Sequence, residues 1–298
     1  MAFSPIAQQR ALFALMCSIW GTNWLALKAG ATAVPPALFS GTRWTVAGLI
    51  LLGVGWARGQ RLWFDRRLMG RMALVAFLMV ALNAGVLLYG LRYVGSGLAA
   101  VISSALTPIS LLGFAVLLRQ ETFSRRQLGA IALGVAGILL LFGPKAAAGQ
   151  LDAMELLGTA GIIVSCMSYC AGSVLARPLM RALPPVQMAA LTNFLGGVML
   201  LAFSFVFEPG AGAAMSGNWG AAAWTGWFFL LIPGSLGGTI IYFLLVRDWG
   251  ASKTGTYAFV SPVIAVGLGA AVYAERVTIT DGLGIALMLG AAGVALRR

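Results

Sequence analysis

TPISLLGFAVLLRQETFSRRQLGAIALGVAGILLL runs from Thr107 to Leu141, and SPVIAVGLGAAVYAERVTITDGLGIALMLGAAGVAL runs from Ser261 to Leu296. Both stretches place a hydroxyl residue before a proline, then an apolar run, a glutamate, and a second, glycine-bearing apolar run. At an offset of 154 residues Pro108 falls on Pro262 and Glu121 on Glu275; a few residues of slippage bring Gly134 and Gly137 onto Gly290 and Gly293. Upstream, an offset of 149 sets Cys17 on Cys166, Trp20 on Tyr169, Lys28 on Arg177 and Pro35-Pro36 on Pro184-Pro185. The chain therefore reads as two copies of one unit, residues 1–145 and 146–298, forming one functional body.

Each copy is built from membrane-length segments. A helix crossing roughly 30 Å at about 1.5 Å per residue needs about 20 mostly apolar residues. Ten segments qualify, near Ala11–Lys28, Ala37–Trp56, Gly70–Leu91, Gly97–Leu118, Gln127–Phe142, Leu156–Ala176, Val186–Phe207, Ala223–Val246, Thr254–Ala274 and Gly282–Leu296. They are continuous apolar runs, unlike the alternating ten-residue strands of a membrane barrel. Five helices per copy is an odd number, so the second copy enters the membrane from the opposite side. The expected fold is an all-α integral membrane protein, ten transmembrane helices in a 5+5 inverted repeat, with a site near the midplane between the copies.

Composition agrees with this reading. Of 298 residues, 60% are apolar and 9% charged, against about 25% charged in a typical soluble domain. Soluble two-domain and disordered readings are excluded. The net charge of +12 comes from short basic clusters between apolar runs, so it argues for orientation and against nucleic acid. With the N-terminus inside, the inner segments hold Arg10, Arg58, Arg61, Arg66, Arg67, Arg71, Arg119, Arg125, Arg126, Arg177, Arg181, Arg247, Lys253, Arg297 and Arg298. The outer loops hold only Lys28, Arg92, Lys145 and Arg276. That bias places both termini in the cytoplasm. The N-terminal apolar run reads as an uncleaved first helix rather than a signal peptide.

Much chemistry is absent. There is no histidine, which removes His-based catalysis, His metal sites and His proton relays. Cys17, Cys166 and Cys170 lack zinc or redox spacing and read as small buried apolar residues. All eight acids map to loops or helix ends, so no mid-membrane aspartate pair or carboxylate relay is available. Glu121 and Glu275 are expected to cap short loops or to pair with Arg119 and Arg276. No enzyme chemistry, metal or cofactor is expected.

The polar groups inside the spans are few. Arg43 lies about 9 Å into the second helix; it has a structural or gating reading and a reading as partner of a substrate carboxylate. Pro108 and Pro262 free the carbonyls of Ser104 and Ala258, and a hinge or cavity role stands beside simple kinking. Pro233, which frees that of Phe229, reads as packing. Ser103 and Thr107 flank one kink, Tyr257 and Ser261 the other. Trp20, Asn23 and Trp24 share the middle of helix one, with Tyr169 as the mate of Trp20. Tyr89 and Tyr242 are near mates in helices three and eight. Asn23 and Asn83 are costly in lipid and should face protein or a cavity. These side chains form the candidate cavity lining, with helix packing as the alternative for each. Trp56, Trp63 and Trp219 read as interface anchors. Small-xxx-small steps at Gly234/Gly238, Ala130/Gly134 and Ala286/Gly290 suit close packing within one chain or between two; monomer and homodimer both remain open.

The runs SIWGTNWLALK (Ser18–Lys28) and RWTVAGLILL (Arg43–Leu52), with the two opening stretches, resemble the EamA-type drug/metabolite transporter superfamily over nearly the whole chain. Among its members the general likeness is to the YddG-type exporters of aromatic and other neutral amino acids. The resemblance implies a central cavity, cytoplasmic ends, a bacterial inner-membrane location and alternating access without covalent chemistry. The small cationic-drug exporters of the superfamily depend on a first-helix glutamate, and Ala11–Lys28 has no acid. The expected cargo is a small neutral or zwitterionic metabolite, aromatic and uncharged amino acids foremost, carried by facilitated export. The alternatives are a transporter of another metabolite or drug class and, behind it, a channel. The expected partners are that small molecule and the lipid bilayer.

Overall fold

The computed structural model describes residues 5–60, 65–94, 96–147, 153–264 and 279–296. Helix is the regular structure throughout them, with no strand among the described residues. The elements are α1 (Pro5–Ala33), α2 (Pro36–Ala57), α3 (Arg66–Tyr93), α4 (Ser96–Leu117), α5 (Arg125–Ala147), α6 (Ala153–Leu179), α7 (Pro185–Phe207) and α8 (Ala221–Trp249). A turn at Ala251–Thr254 leads into helix over 257–264, together α9, and α10 is Ile279–Leu296. The C-terminal part of the expected segment Thr254–Ala274 lies outside the described residues, as do Trp63 and Glu275. The expected 145/146 division falls in the last turn of α5.

Among the described residues, five helices are long and apolar enough to cross a membrane: Pro36–Ala57, Arg66–Tyr93, Ala153–Leu179, Pro185–Phe207 and Ala221–Trp249. Ile102–Leu117 and Gly282–Ala295 are shorter apolar helices. Observed helices overrun the apolar segments by a few residues, because backbone hydrogen bonding continues past the last apolar side chain. Proline sets two of the starts. Pro36 and Pro185 occupy the first turns of α2 and α7, where the missing N–H costs nothing. Large apolar side chains such as Leu117, Leu157, Val206, Phe207 and Ile279 point outward, as the lipid-facing side of a membrane bundle requires.

The helices pack in pairs that repeat across the two halves. A methyl group on Gly41 would meet Leu201, and one on Gly48 would lie 2.4 Å from the backbone nitrogen of Phe194. One on Gly197 would lie 2.3 Å from that of Thr45. As numbers rise along α2 they fall along α7, so these repeat mates run antiparallel. The mates α5 and α10 do the same: Gly137 abuts Gly284 and Met288, while Arg126 donates to the Val294 carbonyl at the far end. The contact of α3 with α6, from Gly158 against Val94 to Gly172 against Met79, is matched by α8 with α1, from Gly226 against Ala26 to Gly238 against Trp20. Both pairs are antiparallel.

A finer contact repeats as well. The Thr107 hydroxyl and the Cys166 thiol lie 3.3 Å apart, and the Ser261 hydroxyl donates to the Cys17 carbonyl at 3.3 Å. Thr107 and Ser261 are mates, and so are Cys166 and Cys17. All three cysteines are free and buried, filling space as small apolar groups.

In lipid, helices associate by van der Waals packing and hydrogen bonds, and small residues admit the closest approach. Gly48→Val or Gly197→Val should therefore separate α2 from α7 and lower stability by about 1–3 kcal/mol. Gly53, with nothing within 4 Å of its missing Cβ, serves as control: Gly53→Ala should leave detergent melting unchanged. Equal melting of all three variants would refute the α2–α7 contact as a fold determinant.

Candidate functional site

Two helices cross the centre with π turns, Phe77–Leu82 in α3 and Leu230–Gly238 in α8. These are repeat mates. A π turn inserts an extra residue into the i→i−4 ladder and recurs at functional sites. In α8 the cause is legible, since Pro233 lacks an N–H and stands beside Gly234, Gly237 and Gly238. In α3 no proline or glycine marks it. Pro233 thus belongs to a wider irregularity than packing alone predicts.

Between the π turns and helices α1, α2, α4, α6, α7 and α9 lies an internal cavity of about 220 Å³. Trp20, Asn23, Asn83, Ser103, Thr107, Tyr169, Tyr242, Tyr257, Ser261 and Arg43 all line it. Four rings form an aromatic corner. Trp20 meets Tyr257 edge-on at 4.5 Å, Tyr242 at 5.2 Å and Tyr169 at 6.4 Å, while Tyr169 and Tyr242 stand 5.5 Å apart. The Tyr242 and Ser173 hydroxyls share a hydrogen bond, whereas the Tyr169 hydroxyl has no partner among the described residues. Asn83 donates to the Ser165 carbonyl at 3.0 Å and its hydroxyl at 2.9 Å. The side-chain oxygen of Asn23 is buried without a partner among the described residues. Thr107 donates back to the Ser103 carbonyl at 2.6 Å, the usual intrahelical use of a membrane hydroxyl.

Arg43 is 4% exposed. Its guanidinium stacks over Trp44 at 4.4 Å and donates through Nη1 to the Ser235 hydroxyl, and its Nε has no partner among the described residues. Asn193 donates to the Ser235 carbonyl at 2.9 Å, and its own oxygen has no partner among the described residues. Sequence reasoning missed Asn193, although the argument applied to Asn23 and Asn83, an amide inside an apolar run, would have found it. Trp44, Thr192 and Ser165 are further cavity residues it passed over.

Several expected residues lie elsewhere. Tyr89 is outside the cavity: its ring meets Phe203 at 6.5 Å and its hydroxyl donates to Glu208 at 2.6 Å. The π segments of α3 and α8 differ in length, so equal spacing no longer gives Tyr89 and Tyr242 equal faces. The Trp24 side chain lies outside the described residues. Pro262 is buried in α9. Pro108 sits in α4 and borders a second cavity of about 460 Å³ at the bundle end, beside Thr107, which lines the first. There Glu121 faces Arg177 at 3.8 Å and accepts a hydrogen bond from Ser252, instead of pairing with Arg119; Arg119 is exposed, with φ of 54°. Trp219 is buried, stacked on Trp224 at 4.4 Å with its N–H on the Ala214 carbonyl. Its indole is an internal strut.

Glu208 is the largest departure from expectation. It ends α7, yet it is buried and accepts from the backbone N–H of Ala37 at 2.9 Å and Leu38 at 3.1 Å. Ser204 and Tyr89 add hydroxyl donors at 2.6 Å each. The carboxylate caps the N-terminus of α2, where unpaired N–H groups and the helix dipole favour a negative charge. No local spacing signals a cap that reaches back across 171 residues.

A bundle of apolar helices around a chamber of aromatic rings, amides and hydroxyls defines a multi-pass helical membrane protein. The EamA-like transporter family matches residues 10–143 and again 156–297. The chain belongs to that family and is a membrane transporter containing its unit twice. It is 28% identical to the uncharacterized transporter YoaV of Bacillus subtilis over 91% of this chain and 90% of that protein. It is 30% identical to the uncharacterized inner membrane transporter YedA of Escherichia coli K12, over 94% and 87%. Protein PecM of Dickeya dadantii is 29% identical over 84% and 80%. A solved crystal structure superposes with a TM-score of 0.78 at 18% identity, covering 97% of this chain and 96% of that one, a likeness of fold.

Glu208→Ala strands two backbone donors and two hydroxyls, and should lower unfolding stability by roughly 2 kcal/mol or more. Glu208→Gln, still able to accept, should lose less, and Tyr89→Phe about 1 kcal/mol. Melting in detergent measures the order; an unshifted Glu208→Ala protein would refute the capping role.

Proposed function

We propose that this transporter is a secondary exporter of small neutral or zwitterionic metabolites, aromatic and other uncharged amino acids foremost, in a bacterial inner membrane. The observation that carries the reading is the cavity lining. It combines five aromatic side chains with Asn23, Asn83, Asn193 and hydroxyls, and no carboxylate lines it among the described residues. A cationic cargo would find no counter-charge there, and a phosphorylated one would meet a single guanidinium. An aromatic side chain fits a corner of rings at 4.5–6.4 Å, and the amides suit a polar head group.

The transport cycle in this reading is alternating access between two inverted five-helix halves, ten spans in all, with both ends of the chain in the cytoplasm. The antiparallel pairing of α2 with α7 and of α5 with α10 supports it, because mates related by a two-fold axis across the helices exchange sides of the membrane. The basic loops support the orientation. Pro108, between the two cavities, and Pro262, its mate, serve as hinges. That no acid among the described residues lines the central cavity supports movement down a gradient rather than proton coupling.

The full chain in proteoliposomes should exchange labelled phenylalanine saturably, at rates unchanged by a pH gradient. Trp20→Ala should weaken apparent affinity about tenfold. No flux of any neutral amino acid would overturn the substrate class. Loss of flux without the gradient would overturn facilitated export, and flux that never saturates would favour a channel.

A further inference from the structure

Arg43 presents a problem in electrostatics. A guanidinium removed from water costs several kcal/mol unless a negative charge or a full set of acceptors compensates it. Arg43 is buried, lines the cavity, and forms no salt bridge with any described carboxylate. One Nη1 bond to Ser235 and the face of Trp44 are its neutral partners. Its Nε edge, the side from which arginine grips a carboxylate with two parallel bonds, has no partner among the described residues.

The same Ser235 holds a second unsatisfied group. Its carbonyl accepts from Asn193, whose side-chain oxygen is fully buried and has no partner among the described residues. Thr192 beside it is 1% exposed, and its hydroxyl too has no partner among the described residues. An unspent cationic fork and an unspent acceptor, both tied to one residue of the α8 π turn, match the two charged groups of an α-amino acid, which are attached to one Cα.

We infer that Arg43 binds the carboxylate of the transported amino acid and Asn193 accepts from its ammonium group, while the side chain enters the corner of Trp20, Tyr169, Tyr242 and Tyr257. This rests on the amino-acid reading above and sharpens it: the cargo needs a free α-carboxylate and a free α-amine. The π turn serves as the mount, since Ser235 fixes both clamp residues and Gly238, three residues on, leaves room for Trp20.

The test is counterflow of labelled phenylalanine in proteoliposomes holding the full wild-type chain, with unlabelled competitors. Phenylalanine should compete well. Phenylalaninamide and phenethylamine, which lack the carboxylate, should be weaker by on the order of 30-fold, and hydrocinnamate, which lacks the amine, by about tenfold. Arg43→Gln should level phenylalanine with its amide, and Asn193→Leu should level it with hydrocinnamate. Amide competing within about threefold of phenylalanine in the wild type would overturn the Arg43 assignment while leaving the amino-acid reading intact. Hydrocinnamate matching phenylalanine would overturn the Asn193 assignment. Should no neutral amino acid exchange or raise the melting temperature, the reading of the cargo falls and this one with it.

Discussion

The backbone contact between α2 and α7 is the constraint on which the centre of the molecule depends. Gly48 and Gly197, mates at an offset of 149, each present a bare Cα to the other helix's main chain. Lipid supplies no hydrophobic force to hold helices together, so shape must do it, and only glycine permits this separation. The antiparallel register that results carries Arg43 and Asn193 to within hydrogen-bonding reach of the same residue, Ser235. It also draws Glu208, at the end of α7, over the unpaired N–H groups that open α2. One pairing thus sets both the polar centre of the cavity and the closure of the bundle at the α2 N-terminal end.

The polar groups follow from the same solvent. In a bilayer an unsatisfied donor or acceptor has no water to turn to, so irregular backbone and unpaired side chains persist where protein or a watery chamber receives them. Here the irregular turns of α3 and α8 and the unpartnered atoms of Asn23, Arg43, Thr192 and Asn193 all border one cavity. Glu208 stands apart as the opposite case, a carboxylate with four donors. Its full set of bonds explains how this acid is kept buried.

What the sequence made legible is what depends on spacing along one helix. The repeat, the helical segments and the cavity positions of Trp20, Asn23, Asn83, Tyr169 and Tyr242 all follow from apolar runs, matching offsets and the cost of amides in lipid. What it hid depends on contacts between distant helices. The Glu208 cap joins residues 171 apart, and Glu121 turned to Arg177 because α6 lies beside it while Arg119 points away. Tyr89 left the cavity because the π turns of α3 and α8 are unequal, and FLMVAL carries no proline or glycine to announce the first. Trp219 was read as an anchor because its loop is polar and glycine-rich; its packing on Trp224 becomes visible only once the loop is folded.

Symmetry and its breaking have separate tasks here. Pro36 and Pro185, Gly48 and Gly197, Cys17 and Cys166 occupy equivalent positions and do equivalent structural work. The positions one to two turns into α2 and α7 do not. Arg43-Trp44 in the first half stands where Thr192-Asn193 stands in the second. A strictly symmetric pair of arginines at that contact would set two buried cations against each other, and a symmetric Thr-Asn pair would carry no charge. Divergence at these two positions gives the cavity one cation, faced by neutral acceptors from the other half. The cavity is polarised in this way, with its cation on one half and neutral acceptors on the other, while the scaffold around it keeps contacts that repeat in both halves.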